Sequence, residues 1–147
     1  MPETPAHTQD QTIHIHEYYP AHEPRESDPH YHLFNAARKK LKEAGKLICW
    51  VCGRDAAAAG QPIELHHDKV EFALQNGVDL KKFEEKFPDL NIQNEEEFFA
   101  FVEGESNLTP LCKLHHTGKE GIHLLPKPMW IALAYWKDNL PPPAIVE

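Results

Sequence analysis

Apolar and polar residues are distributed unevenly along the 147-residue chain. Residues 1–28 are polar, with scattered proline and histidine, which predicts an extended N-terminal arm because such a segment cannot pack a core. Within it, the alternating TIHIHEYY stretch (12–19) is a candidate edge strand. His14 and His16 form an H-x-H pair that we interpret as part of this arm, a metal site being the alternative.

An amphipathic helix with several basic residues is predicted directly after the arm. Asp28 can cap its first turn, Pro29 suits the first helical position, and Gly45 marks its end. Basic residues such as Arg38 and Lys42 fall outside the apolar face. The side chains that share this face are Leu33, Phe34, Ala37 and Leu41.

Short strands and tight turns are predicted on either side of the middle of the chain. The ICWVCG stretch (48–53) is typical of a knuckle between short strands, and AAAAGQP (56–62) predicts a loop. IELHH (63–67) then predicts a strand. NLTPLCKLHH (107–116) contains a second knuckle, which we expect to lead into a helix.

The remaining segments have helical patterns. Residues 69–105 contain three amphipathic stretches whose phenylalanines supply apolar surface to bury. Residues 127–143 predict a helix stopped by Pro141, with Trp130 and Lys137 at helical spacing along it. Helices combined with a few short strands indicate the α+β class.

Charge is concentrated in two acidic blocks. The formal charge of the chain is −8, which taken as a sum argues against a nucleic-acid partner. Counting charged residues gives −5 for 1–28, +3 for 29–70, −7 for 71–105 and +1 for 106–147. The segments that hold the cysteines and the paired histidines are therefore mildly basic, and the composition stays compatible with a surface that faces DNA.

Neither a membrane span nor a secretion signal is indicated. No apolar run reaches the roughly 20 residues of a spanning helix, and the N-terminal residues lack the pattern of a signal peptide. We therefore expect a cytoplasmic protein. Three cysteines are an odd number in a reducing compartment, which favours metal or redox chemistry over disulfides.

The cysteines have the spacing of a zinc site. Cys49 and Cys52 form one two-ligand knuckle, and Cys112 and His115 form another. A Cys3His set is a common closed arrangement around structural Zn²⁺, so this cofactor is predicted. Three alternatives stay open: buried free thiols, a CxxC redox motif, and His116 rather than His115 as the fourth ligand.

A second group of candidate functional residues remains once His115 is assigned to zinc. The chain resembles the HNH endonucleases: ELHHDK (64–69) is similar to a stretch of the nuclease colicins, and the nine-residue step from Asn107 to His116 matches the family's spacing. The knuckles, the HH…GxH ending and the Trp-bearing last helix resemble small phage-encoded members. The resemblance covers roughly residues 29–137, and its histidines are His66, His67, His116 and His123.

This resemblance implies a ββα-metal core around one catalytic cation, with DNA as the substrate. His66, His116 and His123 would hold the cation, which would be Mg²⁺, Mn²⁺, Ni²⁺ or Zn²⁺. His67 would be the general base that activates water, a task that suits imidazole because its ordinary pKa lies near 6.5. Asn107 would tie the loop that carries the base to the second strand.

Strand geometry gives the adjacent histidines different surroundings. Neighbouring residues on a strand point to opposite faces, so His66 and His67 cannot easily chelate one ion together. They can instead flank a scissile phosphate from different directions. Glu64 is predicted to brace the same site, its alternative being an ordinary surface position on the strand.

The implied nuclease domain spans residues 29–140, between the arm and a tail at 141–147. Between His67 and Asn107 lie 39 residues, against a much shorter loop in a compact HNH core. We expect this acidic helical insert, about 69–105, to face away from DNA, to close a small apolar subdomain or to dock a protein partner.

The basic residues before the first knuckle are the candidates for contact with the DNA backbone, with a solvated helix face as the alternative. A metal-dependent DNA endonuclease is the leading hypothesis, acting in the host cytoplasm if the protein is phage-encoded. A zinc-stabilised module that binds DNA or protein without turnover is the runner-up, and a thiol redox protein is third. The candidates for backbone contact are Arg38, Lys39, Lys40, Lys42 and Lys46.

Overall fold

Two short antiparallel strands carry the paired histidines, and helices surround them. The structure is a computed structural model, and it describes residues 3–147. Short 3-10 helices occur at Arg25–Ser27, Phe72–Gly77, Pro88–Leu90, Glu105–Asn107 and Leu133–Tyr135. In chain order the α-helices and strands are α1 (Tyr31–Glu43), α2 (Ala56–Ala59), β1 (Glu64–His67), α3 (Leu80–Lys86), α4 (Glu95–Val102), β2 (Leu108–Leu111), α5 (Lys113–His116) and α6 (Lys127–Ala132). The fold is α+β, as the sequence predicted.

The register of the two strands gives the histidines of β1 their different surroundings. His66 lies opposite Thr109, and His67 lies opposite Leu108. Leu65 shares a face with His67 because side chains alternate along a strand. Leu65 packs against the apolar side of α1, so this face of the sheet is covered by that helix. His66 therefore faces away from α1.

Helix α1 confirms the amphipathic pattern. The side chain of Asp28 accepts a hydrogen bond from the backbone nitrogen of His30 at 2.8 Å, just before the helix begins. Ala37 and Leu41 are its buried residues. After the helix, Gly45 adopts a φ of 69°, a left-handed conformation that suits glycine, and the chain turns away.

Three local predictions were wrong. The knuckle at 48–53 is not flanked by short strands, since β1 and β2 are the strands of residues 3–147. Residues 12–19 form no strand: Ile13 and Ile15 are 54% and 66% exposed, and they lack the packing partner that an edge strand requires. The predicted loop at 56–62 begins instead with helix α2, because Asp55 caps it by accepting from the backbone nitrogen of Ala58 at 2.8 Å.

The buried apolar residues form three clusters. One surrounds the cysteines, with Ile63, Leu111 and Trp130 at its centre. A second lies between α1 and the sheet. The third belongs almost entirely to the acidic segment, so this segment has a small core of its own. Its buried members are Val70, Phe72, Phe83, Ile92, Phe98 and Val102.

The C-terminal helix is shorter than its pattern predicted. Helix α6 ends at Ala132 and continues as one 3-10 turn, Leu133–Tyr135, rather than reaching Lys137. Its buried residue is Trp130, while Tyr135 is 71% exposed, so little apolar surface remains to extend the helix against the core. In residues 3–147, no helix has both the length and the apolar character needed to cross a bilayer.

Candidate metal centres and the paired histidines

The two knuckles bring four metal-ligand side chains together. Cys49, Cys52, Cys112 and His115 each offer one ligand atom, and these atoms lie within 4.8 Å of one another. The Nδ1 atom of His115 is 3.2 Å from the Sγ atom of Cys112 and 3.8 Å from that of Cys49. This buried Cys3His group could hold a metal ion such as zinc, as the spacing predicted.

The thiols of this group affect each other's ionisation. Burial alone would raise the pKa of the Cys49 thiol, but hydrogen bonds from His115 and from backbone groups outweigh it and lower that pKa. Burial raises the pKa of Cys112, and the neighbouring charge of Cys49 raises it further. Several thiolates cannot be crowded into a buried site without a cation, so the donor set suits a divalent ion.

Trp130 of helix α6 packs against the Cys3His group. The indole nitrogen of Trp130 donates to the backbone oxygen of His115 at 2.8 Å, and its ring stacks on Trp50 with centroids 5.6 Å apart. Trp50 belongs to the first knuckle and His115 to the second. Trp130 therefore contacts both knuckles.

A second group of ligands forms on the face of β1 that points away from α1. His66, His116 and His123 each offer one nitrogen, again within 4.8 Å of one another. The Nε2 atoms of His116 and His123 are 3.1 Å apart. His115 and His116 thus belong to different centres, which disfavours the alternative in which they exchange places.

His123 reaches this group because the loop after α5 folds back closely. Its backbone nitrogen donates to the oxygen of His116 at 3.2 Å, and that of Ile122 donates to the oxygen of His115 at 3.2 Å. A Cβ atom at Gly121 would overlap the carbonyl of His116. Glycine is therefore required there, and the seven-residue step from His116 to His123 still allows both rings to meet.

His66 has the properties of a ligand without a partner. Its Nδ1 atom is the only fully buried side-chain nitrogen or oxygen in residues 3–147 that makes no hydrogen bond. Burial, and then the positive charges that His116 and His123 would carry, lower the pKa of His66 to about 3. The ring is therefore neutral at physiological pH, with a lone pair available to a cation.

Two carboxylates border the three histidines. Glu64 accepts a hydrogen bond from Nδ1 of His116 at 2.9 Å, and Nε2 of that ring points towards His123, so Glu64 contacts the histidine group from the position predicted for it. Glu71 was not predicted. One of its oxygens lies 3.8 Å from Nε2 of His123 and 3.9 Å from Nδ1 of His66, close enough to add an oxygen ligand.

His67 meets a different set of groups on the opposite face. Its Nε2 atom is 2.5 Å from a carboxylate oxygen of Glu103, a residue that is 0% exposed. Arg25 reaches the same carboxylate, with its Nε atom 3.2 Å from the other oxygen. Phe34 of α1 stacks on the His67 ring, with centroids 5.8 Å apart. The predicted separation of the two histidines is confirmed, but Glu103 and Arg25 were missed.

Asn107 joins the loop after β1 to the segment before β2. Its Oδ1 atom accepts from the backbone nitrogens of Lys69 and Val70 at 2.7 and 3.2 Å. Its Nδ2 atom donates to the backbone oxygens of Val70 and Val102, both at 2.9 Å. The side chain is completely buried. It therefore has the tying role expected of it, and the geometry gives it a structural function.

Some of the side chains predicted to contact DNA bind other groups of the protein, and others are exposed without an ion pair in the described residues. The guanidinium of Arg38 donates to the backbone oxygen of Ile63 at 2.6 Å, which ties α1 to the strand before the histidines. Lys40 pairs with Glu105 at 3.1 Å. Lys39 approaches Glu43 at 4.0 Å. Exposed positions that make no ion pair within residues 3–147 are Lys42 and Lys46.

Comparison of the chain with protein-family models, curated proteins and solved structures gave no match in any of the three cases.

Proposed function

We propose that this protein is a metal-dependent endonuclease of the HNH type that hydrolyses phosphodiester bonds in DNA. One observation carries the proposal: two adjacent histidines on β1 face different groups. His66 joins His116 and His123 in a set of three imidazoles, whereas His67 binds a carboxylate on the other face. A simple metal-binding module has no use for the second arrangement.

The order of elements around the histidines supports the HNH assignment. Strand β1 pairs in antiparallel fashion with β2, and α5 follows β2 directly. His66 lies on the first strand and His116 on the helix, which corresponds to the ββα-metal arrangement that the motifs imply. The Cys3His group joins the two knuckles, so structural zinc bound there would hold this small motif together.

The proposed reaction uses His67 as the general base. Within residues 3–147 its Nδ1 atom makes no hydrogen bond, and it is not among the fully buried atoms without a partner, so it retains contact with solvent. This atom takes a proton from a water molecule, whose oxygen bonds to phosphorus as the bond to the 3′ oxygen breaks. The products are a 5′-phosphate and a 3′-hydroxyl, the latter completed by a proton from solvent.

The three histidines on the opposite face suit a divalent cation, since each offers one nitrogen within 4.8 Å of the nitrogens of the other two. A cation bound there would supply Lewis-acid stabilisation of the charge that develops on the phosphate and on the departing oxygen. Asn107 keeps the loop after His67 tied to β2. Lys42 and Lys46, exposed and without ion pairs in the described residues, are available to the DNA backbone.

A supercoiled-plasmid assay with Mg²⁺, Mn²⁺, Ni²⁺ and Zn²⁺ tests this function. We expect nicking by the wild type, and a loss of about 10²- to 10⁴-fold in His67→Ala, the range that a general base contributes. His32→Ala is the matched control, because His32 is an exposed histidine on α1. Circular dichroism should show both variants folded at the assay temperature. His67→Ala should unfold at the lower temperature of the two, because it removes one partner of the buried Glu103 carboxylate and leaves Arg25 as the other.

Two results would contradict the proposal. Equal nicking by His67→Ala and His32→Ala would remove His67 from the reaction. A folded, zinc-containing wild type that binds DNA but cleaves with none of the four cations would support the runner-up, a binding module.

A further inference from the structure

One acid of the insert differs from all the others. Glu103 is 0% exposed, and it is the only buried acid among residues 3–147. Burying an unpaired carboxylate is strongly unfavourable, so such a group persists where it has partners. Its partners are the Nε2 atom of His67 at 2.5 Å and the guanidinium of Arg25, with contacts of 3.2 and 3.4 Å.

We propose that Glu103, held by Arg25, is a positioning residue for His67, an inference that rests on the nuclease function proposed above. A carboxylate can only accept hydrogen bonds. The hydrogen of the neutral imidazole must therefore be on Nε2, which leaves the lone pair on Nδ1, the atom that retains solvent contact. Glu103 thus selects the tautomer in which His67 can take a proton from water.

The same residues also fix the plane of the ring. Phe34 stacks on His67 at an interplanar angle of 17°, with centroids 5.8 Å apart. The guanidinium of Arg25 lies over Phe34, 3.9 Å from its centroid. His67 is therefore held at one edge by Glu103 and on one face by Phe34, and Arg25 contacts both of these residues. The imidazole has one orientation, as a general base requires.

The long insert and the N-terminal arm each supply one residue of this arrangement. Arg25 is the only basic residue among residues 1–28, which carry six acids. Glu103 lies at the end of the insert, 36 residues after His67. Neither residue belongs to the strands or to α5. The insert supplies the acceptor, and the arm supplies the charge that balances it.

Glu103→Gln tests the inference, with Glu105→Gln as the matched control. Glutamine keeps the size of the side chain, but its amide can also donate, so the tautomer of His67 is no longer selected. Glu105 lies two residues further on, is exposed and pairs with Lys40. We expect kcat for plasmid nicking to fall by about 10- to 100-fold in Glu103→Gln, part of what a general base contributes.

The other measurements separate positioning from a structural role. KM for the plasmid and the dissociation constant of the divalent ion, measured by titration calorimetry, should stay within about twofold of wild type. A Glu103→Gln protein with the kcat of Glu105→Gln overturns the inference. So does a fall in kcat matched by an equal weakening of ion binding.

The ¹⁵N shifts of His67 in the wild type provide a readout that needs no variant. The inference requires the hydrogen on Nε2, and a ring with its hydrogen on Nδ1 overturns it, even if Glu103→Gln fails to fold. A wild type that does not nick with any cation overturns the nuclease function itself. That result is distinguishable from an active wild type in which Glu103→Gln is equally active.

Discussion

Replacing Asn107 with alanine should be among the most damaging single substitutions outside the metal-ligand groups. The side chain is fully buried and makes four hydrogen bonds to backbone groups. Three of these groups, the nitrogen and oxygen of Val70 and the oxygen of Val102, belong to buried residues. The fourth, the nitrogen of Lys69, lies at an exposed residue where water can replace the amide.

The size of the effect follows from these groups. A buried backbone donor or acceptor that loses its partner destabilises the fold by about 1–3 kcal/mol. Three such groups give roughly 3–9 kcal/mol, and relaxation of the loop reduces the expected value to about 3–5 kcal/mol. Since small domains are stable by only about 5–15 kcal/mol, Asn107→Ala should bring the protein close to unfolding.

Urea unfolding followed by circular dichroism measures this loss, with Asn94→Ala as the control. Asn94 is exposed and makes one capping bond, accepting from the backbone nitrogen of Glu97 at 2.9 Å. Its removal should destabilise the protein by about 1 kcal/mol. If Asn107→Ala lowers the free energy of unfolding by no more than Asn94→Ala, the reasoning from buried hydrogen bonds is refuted.

Three further predictions concern the metal centres. Cys112→Ser should abolish zinc binding, measured by elemental analysis. It should also abolish cooperative unfolding, because zinc binding contributes about 10–16 kcal/mol in small zinc domains. A metal-free, fully folded protein contradicts this prediction. Gly121→Ala adds a Cβ atom that would overlap the carbonyl of His116. It should weaken binding of a divalent ion to the three histidines by at least about tenfold, while zinc is retained. An unchanged affinity in titration calorimetry contradicts this prediction. Glu71→Gln should lower the affinity for the same ion by about tenfold. Glu85→Gln, at an exposed position, should leave that affinity unchanged. Equal affinities in the two variants would exclude Glu71 as a ligand.

The zinc-type group was predictable because its geometry is largely local. Two residues between ligands are enough to make both side chains of a knuckle converge, so Cys49–Cys52 and Cys112–His115 could be assigned from spacing alone. The split between His66 and His67 was predictable for a similar reason, since alternation along a strand needs no knowledge of the tertiary fold. Helix α1 followed from its apolar period.

The residues that the sequence did not reveal all act through distant contacts. Glu103 is one of ten acids in the segment 71–105, and nothing in the charge pattern separates it from the nine that stay at least partly exposed. Its depth depends on how α4 packs, which local propensity does not encode. Arg25 carried a weak signal, because it is the only basic residue of an acidic arm. The failed strand at 12–19 shows the same limit, since alternation forms a strand only where a partner is available.

The acidic insert can be reconciled with a DNA substrate through its two inward-facing carboxylates. Glu103 is balanced by Arg25 and His67, and Glu71 lies beside two histidines where a cation would neutralise it. Without these two acids, the −7 of residues 71–105 becomes −5. The remaining acids include Glu95 and Glu97 at the exposed start of α4. On the proposed function, the insert therefore contributes one carboxylate to each face of β1, Glu71 beside His66 and His123 and Glu103 beside His67.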